Sequence, residues 1–544
     1  MRTTPSGCLA IRRALVLRCL VAVVAAWAAC AAGAVPAQAG AARRTGWRVS
    51  SASPSSFVRQ ISWSSSAPAR GVELLSGTFA DPNVHPQWTV TVEAPTASPL
   101  DGSTEFAEAG TAAWAQQTVA TLTADGFTPR SDTLYWPRYA DDPRGVLGVR
   151  VRVGEFPTQA AAQAQAAQLT ATGFTPLVEW EGFDPQQPTD AELLHAAIVD
   201  PRRFAGHVVA YHGNAIGGRQ TVAAQAQQLG ALVAVNGGFF TIDAPLADVA
   251  GVPTGLGVYD GQLESLSNRS RADLVLDRRG ARIENLRTTA WLSDRSSTMR
   301  VLGINRQPGS NEDCGVLGFA PTIDPRQGVI CTGANDLVLF TPGFGAPLPA
   351  GSGDQAILDG QGRVLSVGTP GGVLPEGDSA VQAIGTDATW LSAHAQVGQR
   401  LRIRVQLDQA SGAPFHLDGQ TGVVSAAPIL LRAGRTAIDA VREGVFDPRD
   451  LFDYGFSAER HARTIAGVDR QGRLILVTAD GVPGISEGLT LTEEAKLMLS
   501  LGAVDAMNLD GGGSTSFVVD GQTVNHPSDA TGARAIGDSV EVVP

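Results

Sequence analysis

Strict alternation of apolar and polar residues occurs twice early in the chain, at Trp88-Thr89-Val90-Thr91-Val92 and at Val149-Arg150-Val151-Arg152-Val153. A period of two predicts strands. Each run leads into an Ala/Gln-rich stretch of helical character, at about 111–124 and 158–171, and then into a short return strand. The octapeptide Leu122-Thr123-Ala124-Asp125-Gly126-Phe127-Thr128-Pro129 recurs as Leu169-Thr170-Ala171-Thr172-Gly173-Phe174-Thr175-Pro176, so the two units are a repeat. Two β-α-β units of this size predict one small α/β sandwich built on a four-stranded antiparallel sheet. From about residue 190 to the end the pattern changes to many short apolar runs separated by turns. Two helices are expected there. One is Gln220 to Leu229, and the other opens at Thr490-Leu491-Thr492-Glu493, a capping box, and stops at Gly502. The expected fold class is α+β, with a strand-rich mixed α/β domain over 190–544 and the small sandwich over 86–180.

The segment before the first alternating run changes this picture only at its ends. Arg2, Arg12, Arg13 and Arg18 precede an apolar, Ala-rich stretch over 19–34, and Ala37-Gln38-Ala39 fits a cleavage site. Residues 1–39 therefore read as an export signal, with Arg12-Arg13 hinting at twin-arginine export. An uncleaved anchor over 19–39 and a lipidated Cys30 are the rivals. Residues 40–85 read as a linker, rich in Ser, Ala and Pro over 40–70, together with candidate opening strands of the larger domain. Removing the signal takes Cys8, Cys19 and Cys30 with it and leaves Cys314 and Cys331. In an exported protein that pair reads as a disulfide, with two buried thiols as the alternative. The chain has 544 residues, too many for one ordinary core, and a net charge of −12. That charge argues against nucleic acid as a partner. Lys496 is the sole lysine, which restricts Schiff-base chemistry to a residue inside a helical pattern.

Three stretches carry candidate chemistry. Val233-Ala234-Val235-Asn236-Gly237-Gly238-Phe239-Phe240 is a buried strand ending in a tight, glycine-permitted approach. Leu474-Ile475-Leu476-Val477-Thr478-Ala479-Asp480-Gly481 is a core strand that delivers a carboxylate to its end. Asn508-Leu509-Asp510-Gly511-Gly512-Gly513-Ser514-Thr515 places a carboxylate before three glycines and two hydroxyls. Successive glycine amides can form a nest for an anion, although the lysine and spacing of a nucleotide P-loop are missing.

These stretches, with Gly218-Arg219-Gln220-Thr221, Gly303-Ile304-Asn305-Arg306, Arg463-Thr464, Gly488-Leu489-Thr490-Leu491 and Asn525-His526-Pro527-Ser528-Asp529, resemble the phosphodiester glycosidase family in order along the chain. One member of that family removes N-acetylglucosamine from a phosphate of glycans. Gly71-Val72-Glu73-Leu74 and Trp88-Thr89-Val90 resemble its opening strands, which would make the repeat unit an insertion. The second copy of the repeat, from Val151-Arg152-Val153-Gly154-Glu155-Phe156 to Gly173-Phe174, resembles the SPOR domain, a ferredoxin-like unit. That resemblance implies peptidoglycan glycan strands as a partner. A small α/β spacer without a ligand is the alternative reading.

The phosphodiester glycosidase resemblance implies hydrolysis at an anomeric carbon whose leaving oxygen belongs to a phosphodiester. Glycosidases commonly use two carboxyl groups. The residue types then suggest Asp510 as base or nucleophile, Asp480 as the second carboxyl and Arg463 as the phosphate ligand. Asn236 and Asn508 would hold sugar hydroxyls, with Gly237 beside them in the substrate-binding set. The amides of Gly511, Gly512 and Gly513, with Ser514 and Thr515, would hold the oxyanion. Asn525, Asp529 and Arg534 complete the substrate-binding set. Plainer roles also fit: Asp480-Gly481 and Asn236-Gly237 as turns, Asp520-Gly521 as a hairpin turn, Glu493 as a helix cap, His526 as an incidental surface histidine, and Arg534 as a mate for Asp529. No cofactor is implied. Clustered Asp and Asn leave a divalent metal open, without EF-hand spacing. The expected protein is a secreted or wall-associated hydrolase of carbohydrate or glycophosphate, free of the membrane once its signal is cleaved. The alternatives are an ordinary glycosidase on uncharged glycan and a non-catalytic wall- or glycan-binding protein.

Overall fold

The computed structural model describes residues 58–97, 104–242, 249–268, 271–314, 325–446 and 454–544, together with the two-residue strand Ile11–Arg12. The expected signal over 1–39, apart from Ile11–Arg12, and residues 40–57 of the linker fall outside these residues.

Both helices of the repeat form where the pattern places them, at Ala112–Ala124 and Gln159–Ala171, each capped by a threonine hydroxyl (Thr111 and Thr158). The four strands Pro129–Tyr135, Val146–Phe156, Trp88–Val92 and Pro176–Trp180 pair in that order, all antiparallel. Val90, Val92, Val151 and Val153 face the helices and form a core with Ala115, Leu122, Ala162 and Leu169.

The opposite face of that sheet departs from the usual polar-out arrangement. Thr89, Thr91, Arg150 and Arg152 are all 0–1% exposed, because the rest of the chain is pressed against them. Arg150 pairs with Asp184 at 2.6 Å and with Glu459 at 2.7 Å, and Arg152 pairs with Asp184 at 2.7 Å. Tyr454 and Ala458 pack on Ala109 and Leu134, and the Tyr139 hydroxyl donates to the Ser457 carbonyl at 2.5 Å.

The larger domain is a stack of sheets. Its main sheet has eight antiparallel strands in the order 62–69, 72–80, 191–199, 474–479, 463–469, 503–508, 429–432 and 435–436. The chain therefore leaves this sheet at Ala80 and re-enters it at Ala191, and the repeat unit lies between two neighbouring strands. A second, five-stranded sheet runs 207–211, 539–543, 233–236, 517–519 and 522–523. One apolar core joins the two, taking in Val233, Val235, Val540 and Val542 from one and Ile465, Ile475 and Val477 from the other. The helix Val222–Leu229 and the capping box at Thr490 and Glu493 match the sequence pattern. The helix Gly385–His394 does not follow from it. It begins with Gly-Thr-Asp and has no side-chain cap, so its stability comes from burying Ala388 and Leu391. Cys314 and Cys331 are joined as a disulfide.

The interior holds several carboxyls that burial pushes upward: Glu459 to about 7, and Glu443 and Glu541 to about 8. A raised folded-state pKa means the folded chain keeps the proton longer than the unfolded chain. Its contribution to stability is complete below the normal carboxylate range and is lost as pH rises through the folded value. Half-buried His195, His212 and His461 are shifted downward by desolvation and act in the opposite sense, but only below about 6.5. Calorimetric melting should therefore occur at a lower temperature at pH 8.5 than at pH 6.5. An equal or higher melting temperature at pH 8.5 would contradict this account of the interior.

Candidate active site

Strand ends from both large sheets converge at one place. The main sheet delivers the start of Arg463–Asp469 and the ends of Leu474–Ala479 and Ala503–Asn508, while the second delivers the end of Val233–Asn236 and the start of Phe517–Val519. The glycine segment 509–516 crosses from one sheet to the other. Asn236 braces the crossing. Its Nδ2 donates to the Asp510 carbonyl at 2.6 Å, and its Oδ1 accepts from the Thr464 hydroxyl at 2.6 Å and the Ser516 amide at 3.1 Å. With its side chain fully buried, Asn236 is positioned to hold the loop rather than a sugar. Asn508 is likewise buried and donates to the Ala427 carbonyl at 2.7 Å.

Gly237 and Gly238 are glycines because of close approach. A Cβ on the first would collide with Asp538, and one on the second with the Ser425 carbonyl. The Gly237 carbonyl accepts from the Asp510 amide at 3.0 Å. Asp538 accepts from the Gly238 amide at 2.8 Å and the Tyr259 hydroxyl at 2.6 Å. Burial raises its carboxyl to about 6, and the charge of Asp510 adds to that rise. Asp538 is thus a carboxyl neighbour of Asp510 that the sequence reading missed. The one available signal was Gly537-Asp538 standing immediately before the last strand.

Asp510 is half-buried, and its Oδ1 accepts from the Gly511 amide at 3.0 Å. The Gly512 amide donates to the Ala462 carbonyl at 2.8 Å. Two of the three glycine amides are therefore committed inside the protein and do not form an open ring of donors. Space exists instead above Gly512, which sits at φ +57° with nothing within 4 Å of a would-be Cβ. At Gly513 the same atom would collide with Asp529 and Arg534. Those two form a bidentate pair at 2.8 Å per contact, each roughly 30% exposed, directly against the glycine turn. The hydroxyls of Ser514 and Thr515 are buried and have no hydrogen-bond partner among the described residues.

Asp480 is wholly buried, and its oxygens accept from Asn525 Nδ2 at 3.2 Å, the His526 amide at 2.9 Å and His526 Nδ1 at 2.9 Å. It has no face toward a substrate. What it presents is His526, whose side chain is 53% exposed. Asn525 also donates to the Thr515 carbonyl at 3.2 Å, tying this carboxylate–imidazole pair to the glycine loop. His526 looks incidental in sequence, since the partner that fixes it lies 46 residues away.

Arg463 is employed elsewhere. Its guanidinium is fully buried and donates to the carbonyls of Leu489 at 2.8 Å, Phe456 at 2.5 Å and Glu459 at 3.1 Å. It also pairs with Glu494 at 3.2 Å and lies over the Phe456 ring. These partners turn it away from the loop, so a phosphate clamp does not fit its geometry. Arg463→Met should destabilise the fold by about 3–5 kcal/mol, because Glu494 and three carbonyls lose their buried donor. Urea unfolding would measure this, and a loss below about 1 kcal/mol would refute the bracing role.

Among the described residues, metal-ligating side chains converge at Glu108, Glu179 and Glu459. That cluster lies at the junction with the repeat unit, where Arg150 and Arg152 already supply positive charge, and not at the loop.

Residues 353–543 match the phosphodiester glycosidase family, and residues 107–178 match the SPOR domain. A 68-residue stretch is 47% identical to human N-acetylglucosamine-1-phosphodiester alpha-N-acetylglucosaminidase, covering 12% of this chain and 13% of the human protein. The chain thus matches only about an eighth of that relative's length. A crystal structure of a Burkholderia pseudomallei protein described as exported superposes with a TM-score of 0.79 at 30% identity, over 92% of this chain and 100% of that one. A hypothetical protein of Synechocystis shares the fold at a TM-score of 0.50 and 18% identity, over 88% of this chain and 75% of that one.

Proposed function

We propose, from the premise that this chain belongs to the phosphodiester glycosidase family and carries a SPOR domain, that it hydrolyses the bond between a sugar's anomeric carbon and a phosphodiester oxygen. The observation that carries this reading is the open space above Gly512, flanked by the half-buried Asp510 and by the Asp529–Arg534 pair packed on Gly513. A sugar ring above Gly512 would place its anomeric carbon toward Asp510. Its phosphate would meet the outer edge of Arg534, whose planar donors suit phosphate and whose orientation is held by Asp529.

Asp510 then acts as base toward water or as nucleophile. The new bond forms between oxygen and the anomeric carbon, the bond from that carbon to the phosphate oxygen breaks, and its electron pair leaves with a phosphomonoester. Because the second pKa of a phosphomonoester is about 6, this leaving group needs less protonation than an alkoxide. His526, held in one orientation by Asp480, supplies or takes up the single proton that the balance requires. This division of labour explains why Asp480 can be buried and still matter.

The SPOR unit would bring the enzyme to peptidoglycan glycan strands. Its sheet face is covered, so the surface left to meet glycan is its helices and its outer edge, where Tyr135 and Val146 pair and are more than half exposed. Export fits the disulfide and the full-length likeness to a protein described as exported. Among the described residues no helix is long and apolar enough to cross a membrane.

The test offers the purified protein a sugar-1-phosphodiester and the matching simple glycoside and follows release of free sugar. The diester should be turned over with a kcat/KM at least about 100-fold higher. Preferential turnover of the simple glycoside would favour an ordinary glycosidase. Turnover of neither, with retention on glycan, would favour a binding protein.

A further inference from the structure

The segment 454–463 touches the SPOR unit at one end and the glycine loop at the other. At the SPOR end, Arg150 Nη1 donates to Glu459 at 2.7 Å, the Tyr139 hydroxyl to the Ser457 carbonyl at 2.5 Å, and Tyr454 and Ala458 pack on Ala109 and Leu134. The 3₁₀ turn and loop that leave the SPOR unit add a second hold. Arg460 donates to the carbonyls of Gly182 at 3.2 Å, Asp184 at 3.0 Å and Gln187 at 3.1 Å, and Phe183 stacks on His461. Three residues beyond Glu459, the Ala462 carbonyl accepts the Gly512 amide at 2.8 Å. A Cβ on Gly511 would press on that same carbonyl and approach the Phe456 ring, and Cβ atoms on Gly481 and Gly488 would strike the backbone at His461 and Ala462. The short path from the SPOR sheet to the glycine loop is therefore a run of packed backbone with no slack.

We propose that the SPOR unit is a working part of the hydrolase, with Arg150 and Glu459 as positioning residues that fix the Ala462 carbonyl and, through it, the turn at Gly512. The burial supports this. A free-standing glycan module has no use for two arginines fully buried on its sheet face, whereas a docked one uses them to hold carboxylates of both parts in a single cluster. Removing Arg150 leaves Glu108, Glu459 and Asp184 in a poorly solvated space without that partner, and the natural relief is separation of the two surfaces. The proposal rests on the reading of the glycine loop as the site of hydrolysis, so its test includes a readout that needs no substrate.

Amide hydrogen exchange is followed in the full chain for wild type, Arg150→Ala and the milder Tyr139→Phe, which deletes one hydrogen bond to Ser457. Exchange should rise in 454–463 and, by about tenfold, in 510–516, with the SPOR core over 88–92 and 159–171 still protected in Tyr139→Phe. On the phosphodiester, kcat should fall in parallel while KM changes little, and Arg150→Lys should restore little because an ammonium cannot span Asp184 and Glu459 together. Unchanged exchange in 510–516, with 454–463 loosened, would overturn the coupling. If Arg150→Ala unfolds, Tyr139→Phe decides. Should wild type hydrolyse nothing, the functional reading fails while exchange still settles the coupling.

Discussion

Asp510→Asn should lower kcat on the sugar-1-phosphodiester by on the order of 10³–10⁴-fold and leave Tm within about 2 °C of wild type. Asparagine has the same shape, and its Oδ1 can still accept the Gly511 amide, so the turn survives. The backbone carbonyl held by Asn236 and the amide donated to Gly237 are also untouched. What disappears is the negative charge and basicity beside the anomeric carbon. The substitution carries a second signature. The charge of Asp510 helps to raise the Asp538 carboxyl to about 6, so its removal should lower that value, an effect visible by carboxyl NMR. Wild-type turnover in the variant would remove Asp510 from the mechanism.

Asp480→Asn and His526→Ala should each reduce kcat/KM by about 10²–10⁴-fold, and the double variant should be no worse than the poorer single one. Non-additivity follows from the geometry. Asp480 has no surface of its own and acts by accepting from the His526 amide and Nδ1, so each change disables the same oriented imidazole. Asparagine at 480 turns a donor toward one of these donors and loosens Asn525, which also holds the Thr515 carbonyl. Strictly multiplicative losses, or full activity in His526→Ala, would show that the pair is only a structural fastening.

The repeat unit was legible because its evidence is local: a recurring octapeptide, alternating strands and Ala/Gln-rich helical runs all fall within one short stretch. Its buried polar face was not legible. Val149-Arg150-Val151-Arg152-Val153 carries no mark that separates a solvated arginine from one sealed under Glu459, more than 300 residues later in the chain. The eight-stranded sheet is hidden for a related reason, since neighbours such as 191–199 and 474–479 are far apart in sequence. At the site, the glycine loop and the carboxylates were visible as residue types, but their employment was not. Arg463 at the start of a strand suggests a ligand for phosphate. The carbonyls of Phe456 and Glu459 that consume it belong to a five-residue helix and its exit, too short to announce itself. Asp480 and His526 were each read singly, one as a catalyst and the other as incidental, and only their contact gives the pair a joint role.

The most direct test of the central claim is a crystal structure of the inactive Asp510→Asn protein soaked with the intact sugar-1-phosphodiester. The sugar should lie over Gly512 with its anomeric carbon toward residue 510 and its phosphate on Arg534, within reach of His526. Density for the diester in any other part of the molecule, with the space above Gly512 unfilled, would contradict the account.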